Sequence, residues 1–329
     1  MKARITGIGK YVPKKVLSNK DLEDIVETSD EWIFTRTGMR ERRIAEPHET
    51  TSYMGAEASR VALGKAGIEA HQLDLIICAT CTPDTLLANT ACLIQRELEA
   101  AGSGAVDIQA ACSGLMYGLS MAKAFVEAGT YKKILVVAPE KISSITNYKD
   151  RTTCVLFGDG AAACVVQDEG SGFYIDDIEL GADGNQADLL TIPAGGCKLP
   201  ASMETVSEDM HYIQMEGREV FKHAVRRMES AAKLCIEKAG LSEGDITWLV
   251  PHQANIRIIE SMAKRFQVPM ERVFITIQKY GNTSASSVGI ALSELTETEP
   301  LSPGEHILLL VFGAGFTWAA GILTPTEKE

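Results

Sequence analysis

At 329 residues and 45% hydrophobic content, the chain has material for one large domain or two of ordinary size. Forty-four acidic residues against 32 basic ones give a formal charge of -12, which excludes the broad basic surface that nucleic-acid backbones require. The eight cysteines lie mostly in apolar runs, a usage that fits reduced thiols in a cytoplasmic protein rather than a disulfide framework. The first residues lack the apolar stretch and small-residue cleavage site of a signal peptide, and no apolar run reaches the length of a bilayer span, so no membrane span is expected.

In chain order, Trp32 is followed by a basic run, Arg36, Arg40, Arg42 and Arg43, a local patch for a phosphorylated ligand or a set of solvated and structural charges. Residues 57–68 read as a helix closing on a glycine, and 73–77 as a strand. Cys78 and Cys81 lack a second cysteine pair and read as core thiols, with no metal expected. Residues 106–108 form a short apolar run that stops before Cys112, and 114–126 read as a small-faced helix. The spacing predicts that unpaired N–H groups at the start of that helix lower the Cys112 pKa and favour a thiolate nucleophile; a buried cysteine in an Ala-rich turn is the competing role.

Residues 134–137, 163–166 and 307–311 are buried-strand candidates, and 182–209 read as a surface excursion. Lys65-Ala66-Gly67 before one strand echoes Lys238-Ala239-Gly240 before another at 246–250. Phe157-Gly158-Asp159-Gly160 echoes Phe312-Gly313-Ala314-Gly315 in the same order. Two ordered echoes predict duplicated halves, 1–172 and 173–329, divided at the polar turn 168–172. The glycine pairs lack the spacing of a dinucleotide fingerprint.

His252 follows an apolar run, at a strand end where an imidazole can overhang a cleft as hydrogen-bond donor or base. Asn282 sits in a glycine- and hydroxyl-rich turn and offers a neutral amide donor. Taken singly, each also suits a cap, a turn or a solvated site.

Together, the segments Asp107 to Gly114, Pro251 to Asn255, Tyr280 to Ser286 and Phe312 to Trp318 resemble the thiolase-like condensing enzymes, specifically the β-ketoacyl-acyl-carrier-protein synthase III family. Glu31-Trp32-Ile33 and residues 36–42 add an early segment typical of that group, so the resemblance runs through almost the whole chain.

The resemblance implies an α/β, five-layered αβαβα fold of two duplicated halves and a homodimer. It implies that Cys112 takes an acyl group from acyl-CoA, with the N–H groups of Cys112 and Gly315 as oxyanion hole. His252 and Asn282 are then donors toward malonyl-acyl-carrier protein as it loses CO2, with no cofactor beyond the substrates. Asparagine rather than a second histidine at position 282 favours an initiating enzyme over an elongating one.

By the same resemblance, Trp32, Arg36 and Arg151 belong to the CoA mouth, and Phe312 guards the active-site side of the entrance. Leu87 stands where an acetyl-preferring relative has phenylalanine, which predicts room for a longer or branched primer. Arg257, Lys264 and Arg265 share one broad helical face suited to an acidic carrier protein. A related secondary-metabolite synthase or acyltransferase, and an inactive carrier-binding module, are the competing functions.

Overall fold

The computed structural model describes residues 2–327. Nine strands form one sheet: β1 (Arg4–Tyr11), β2 (Leu75–Ala79), β3 (Gly104–Ile108), β4 (Lys133–Glu140), β5 (Gly160–Gln167), β6 (Phe173–Ala182), β7 (Ile246–Pro251), β8 (His306–Gly313) and β9 (Thr317–Pro325), in the spatial order β7-β8-β9-β6-β1-β5-β4-β2-β3. The helices that matter for the site are α1 (Asp30–Thr37), α2 (Thr51–Ala66), α3 (Thr90–Glu97), α4 (Gly114–Glu127), α5 (Gly217–Lys238), α6 (Ile256–Arg265) and α7 (Ser287–Thr298).

Only two residue pairs, Arg4 with Tyr174 and Ile5 with Phe173, join β1 to β6, so the sheet is effectively two sheets hinged at one corner. Their topologies match step for step. In the first, β1, β5 and β4 pair antiparallel and β4 pairs parallel with β2. In the second, β6, β9 and β8 pair antiparallel and β8 pairs parallel with β7. Where the first adds β3 beyond β2, the second has a single parallel bridge, Leu249 with Val273.

The central strands are apolar at nearly every position because both faces are covered. Side chains alternate across a strand. Ile77 and Ala79 of β2 therefore join a cluster with α4 and α7, while Ile76 and Cys78 join another with α2 and α3. On β8, Ile307, Leu309 and Val311 face the same α4 and α7 layer, and Leu308 and Leu310 face α5 and α6. The result is five layers: α2 and α3, sheet, α4 and α7, sheet, α5 and α6.

Helix character follows layer. The middle helices are covered on both sides, so α7 is buried from Ser287 to Leu295, and α4 brings Gly118 so close to β4 that a Cβ would lie 2.6 Å from Val136 Cγ1. The outer helix α5 is amphipathic: Met228, Ala231, Ala232, Cys235 and Ile236 are buried at i, i+3, i+4, i+7 and i+8 spacing. Burying one such large apolar side chain contributes about 1.5–3 kcal/mol.

The Lys-Ala-Gly echo has a physical cause. Gly67 and Gly240, at the ends of α2 and α5, both adopt left-handed backbone, with φ of 66° and 73°. Helix α2 starts earlier than the expected residue 57, at Thr51, because its first turn is too polar to show the period. Residues 182–209 hold the 3-10 turn Gly184–Leu189, the two-residue strand Leu190–Thr191 and the short helix Met203–Ser207, and Ala187 and Leu190 to Ile192 line the larger cavity.

Candidate active site

Helices α4 and α7 begin in corresponding ways. Each follows a single 3-10 turn, Ala111–Ser113 and Ser284–Ser286, whose first residue has positive φ: 44° at Ala111 and 52° at Ser284. A non-glycine residue in this region carries strain of about 1–3 kcal/mol, which surrounding structure must hold. The two strained turns face each other, bringing Cys112 from one half toward Asn282 and Ser284 from the other.

Cys112 sits where two cavities meet. One, of about 120 Å³, is lined by Cys112, His252, Asn282, Phe312, Asn255 and Ile258 among others. The second, about 460 Å³, is lined by Cys112, Cys81, Ile142, Ile145, Ser284 and Gly315 among others. Besides Cys112, the two share Phe157 and Leu190. Gly313, at the end of β8, is packed so that a Cβ would lie 2.7 Å from the Cys112 nitrogen; only glycine lets the strand end meet the turn there. The N–H groups of Cys112 and Gly315 have no protein acceptor among the described residues, and both residues line the larger cavity.

The expected lowering of the Cys112 pKa is corrected by the structure. Burial pushes the thiol up to about 12; the nearby Ser284 hydroxyl opposes this, and the negative charge of Glu140 adds to it. Cys112 does lie at the start of α4, and burial is the largest influence on its thiol.

His252 follows β7 and is 5% exposed. Its backbone N–H donates to the Leu310 carbonyl at 2.7 Å, which ties it to β8. Nδ1 meets the Ser287 hydroxyl at 2.5 Å, and that hydroxyl oxygen also accepts the Gln253 N–H at 3.4 Å. Ser287 occupies Nδ1 and leaves Nε2 for a ligand; assigning the Ser287 hydroxyl as the donor puts the imidazole proton on Nε2. Burial lowers the imidazole to about 4, so the ring is neutral and presents Nε2–H as a donor.

Asn282 is held across the halves. Its N–H donates to the Leu156 carbonyl at 2.8 Å, and its own carbonyl accepts the Gly158 N–H at 3.0 Å, a strand-like bridge to the turn before β5. Its Oδ1 accepts the Ser284 N–H at 2.9 Å, which fixes the amide orientation. Its Nδ2 makes no hydrogen bond among the described residues and is the group left for a ligand.

The mouth is built by α1 and α6. Gly38, with φ 80°, ends α1 so close to α6 that a Cβ would lie 2.7 Å from Ile256 Cβ. Asn255 Nδ2 donates to the Arg36 carbonyl, and Arg257 reaches the Thr35 carbonyl at 3.4 Å. The Arg36 and Arg151 guanidinium groups lie over the Trp32 ring at 4.7 and 4.8 Å, and Arg151 also donates to the Glu27 carbonyl.

The rest of the basic run is engaged within the protein. Arg42 is fully buried, donates to the carbonyls of Leu17 and Val155 and to Asn19 Oδ1, and is pushed down to about 10 by burial. Arg43 pairs with Glu41, and Arg40 stacks on Phe34. On α6, Arg265 pairs with Glu229, while Arg257 and Lys264 are exposed.

Phe312 lines the smaller cavity and packs on Phe316 with ring centroids 4.8 Å apart. Leu87 lines neither cavity; beside the equally bare Leu86, it is 91% exposed on a loop before α3. Cys78 is a core thiol as expected, but Cys81 faces the larger cavity. Ser287 and Glu140 were not anticipated as site residues; the signal for Glu140 was a carboxylate ending the otherwise apolar run Ile-Leu-Val-Val-Ala-Pro.

Five layers in two matching halves, with a cysteine flanked by a neutral histidine and an asparagine amide, define a thiolase-like condensing enzyme. Residues 106–184 match the family described as 3-Oxoacyl-[acyl-carrier-protein (ACP)] synthase III, and residues 236–324 match its C-terminal counterpart. The chain is 56% identical over 327 residues to beta-ketoacyl-[acyl-carrier-protein] synthase III of Chlamydia caviae, covering 99% of this chain and 98% of that one. It is 51% identical to the protein of the same name from Roseiflexus sp. (strain RS-1), with 98% of each covered. The crystal structure of 3-oxoacyl-[acyl-carrier-protein] synthase III from Aquifex aeolicus superposes with a TM-score of 0.90 at 46% identity, covering 98% of this chain and 99% of that one. The chain belongs to the β-ketoacyl-acyl-carrier-protein synthase III family.

Proposed function

We propose that the chain initiates type II fatty-acid synthesis by condensing an acyl-CoA primer with malonyl-acyl-carrier protein, giving β-ketoacyl-acyl-carrier protein, CoA and CO2. The observation that carries this reading is the convergence of Cys112, His252 and Asn282 on one cavity, with both nitrogen groups free to donate.

Cys112 sulfur attacks the primer thioester, the N–H groups of Cys112 and Gly315 hold the oxyanion, and CoA leaves. The acyl chain lies in the larger cavity and the carrier's arm enters by the smaller. Malonyl thioester loses CO2, and its enolate oxygen takes hydrogen bonds from His252 Nε2 and Asn282 Nδ2. The methylene carbon then attacks the acyl-Cys112 carbonyl and expels the thiolate. Decarboxylation supplies the carbanion, so His252 serves as a neutral donor and no cofactor is required.

Trp32, Arg36 and Arg151 form the CoA mouth, by stacking and phosphate pairing, and Phe312 borders the entrance. Arg257 and Lys264, with Arg265 beside them, receive the acidic carrier protein. The bare Leu86–Leu87 loop suits a homodimer contact, through which Leu87 bounds a partner's primer pocket. Residues 1–172 and 173–329 are the duplicated units, supported by the matched strand order. A reducing cytoplasm suits the eight cysteines, all free; no helix among the described residues is long and apolar enough to cross a membrane.

Mixing the protein with acetyl-, straight-chain and branched acyl-CoAs and malonyl-carrier protein tests this. CO2 release matched to a β-keto product, with intact-mass detection of acyl-Cys112, is the expected result. Ester or amide products, or no acylation with any primer, overturn it.

A further inference from the structure

Glu140 closes β4 and is fully buried. Its oxygens accept from the hydroxyls of Thr80 at 3.1 Å and Thr82 at 2.9 Å, the Cys81 N–H at 3.2 Å, the Cys81 thiol at 3.3 Å and the Ser284 hydroxyl at 3.1 Å. The Thr82 oxygen takes the Lys141 N–H at 2.9 Å, which leaves its own proton for Glu140. No lysine or arginine among the described residues forms an ion pair with Glu140. Only an ionised carboxylate accepts on every side, so these donors replace the water that the buried charge has lost. Residues 80–82 belong to the same half as Glu140; Ser284 belongs to the other.

Ser284 is the residue that needs holding. It opens the 3-10 turn before α7 with φ of 52°, a backbone strained for any residue with a side chain. Its hydroxyl donates to Glu140, and its N–H donates to Asn282 Oδ1 at 2.9 Å. A backbone N–H can be accepted by Oδ1 and not by Nδ2, so this bond decides which end of the Asn282 amide faces the cavity. Relaxing φ at residue 284 swings the peptide that carries the N–H, and an amide turned over would offer an oxygen to an enolate. Two hydrogen bonds therefore join Glu140 to the orientation of Asn282, with one strained residue between them.

We propose that Glu140 is a positioning residue for condensation: its carboxylate clamps Ser284 from the opposite half and so keeps Asn282 Nδ2 turned toward the incoming malonyl thioester. Glu140 lines neither cavity and acts only through this contact. This rests on Asn282 being a donor to that thioester.

The test follows two half-reactions separately: CO2 release from malonyl-carrier protein without primer, and single-turnover acylation of Cys112 by acetyl-CoA, read by rapid quench and intact mass. The variants are Glu140→Leu, Ser284→Ala, Ser284→Gly and the double change Glu140→Leu with Ser284→Gly, each checked by thermal unfolding. In Glu140→Leu and Ser284→Ala, CO2 release should fall about tenfold or more, as a small misplacement at a reacting centre does, with acylation within about threefold of wild type. Glycine adopts φ of 52° without strain and needs no clamp, so the double variant should release CO2 faster than Glu140→Leu alone.

A merely structural role predicts otherwise. Loss of packing lowers both half-reactions together, and glycine at 284 then adds to the damage by freeing the unfolded chain. Equal losses in the two half-reactions overturn the proposal, as does wild-type CO2 release in Ser284→Ala or a double variant no faster than Glu140→Leu. If Glu140→Leu does not fold, CO2 release by Ser284→Ala that equals or exceeds that of Ser284→Gly overturns it. Unchanged CO2 release in Asn282→Ala would instead sink the assignment of Asn282 as a donor, whatever Glu140 does.

Discussion

The Ser287 hydroxyl, at the first turn of α7, holds Nδ1 of His252 at 2.5 Å and so decides which imidazole nitrogen faces the cavity. Ser287→Ala frees the ring to place its proton on either nitrogen. Decarboxylation of malonyl-carrier protein should slow about tenfold, the worth of one such hydrogen bond, while loading of Cys112 stays near wild type. Parallel assays of CO2 release and acyl-enzyme mass check this; equal losses in both steps would contradict it.

His252 also links stability to pH. Its folded value of about 4 lies below its ordinary 6.5, so between those values the unfolded chain binds a proton that the folded protein refuses. Stability from this group is therefore complete above 6.5 and lost as pH falls toward 4, by about 3 kcal/mol in all. Urea unfolding at pH 7 and 4.5 should show a larger loss for wild type than for His252→Asn. An imidazole resonance assigned to His252 should stay unshifted above pH 5.

Asn282→Asp exchanges the Nδ2 donor for a carboxylate oxygen facing the enolate. Removing one donor of this kind costs about 2.7–4 kcal/mol of transition-state stabilisation, and condensation should fall by about a hundredfold or more. Acyl-Cys112 should still form and accumulate, visible as the added mass of the primer.

Gly313→Ala would push a methyl group against the Cys112 nitrogen. The turn must shift, so acylation should collapse while unfolding free energy drops by about 1–3 kcal/mol. A folded variant with normal acylation would show that the contact is not needed to seat the nucleophile.

Trp32→Ala removes the ring that two guanidinium groups cover. The KM for acyl-CoA should rise about fivefold to tenfold with kcat little changed, consistent with about 1 kcal/mol of lost stacking. An acyl thioester of a short thiol lacking the nucleotide should show no such rise.

The cysteine, histidine and asparagine that the structure brings to one cavity were legible because each ends or precedes an element with a clear signature: an apolar run before Cys112 and His252, and a glycine-rich turn around Asn282. The duplication was legible in two Lys-Ala-Gly ends because a left-handed helix terminus demands glycine in both halves. The acidity of Cys112 was misread because the helix start is local in sequence, whereas the burial that raises its thiol is built in part by His252, Asn282 and Gly313, distant along the chain. Glu140 and Ser287 were missed because their partners lie far along the chain, Ser284 of the other half for Glu140 and His252 of the same half for Ser287, which no local spacing records.

Cys112, with Phe157 and Leu190, borders both chambers. Residues such as Ile142 and Ile145 on one side can be enlarged or shrunk to change which primer fits, and residues such as Ile258 on the other can change which donor is admitted. The two chambers can therefore be redesigned largely as separate parts, because beyond Cys112 they hold only Phe157 and Leu190 in common.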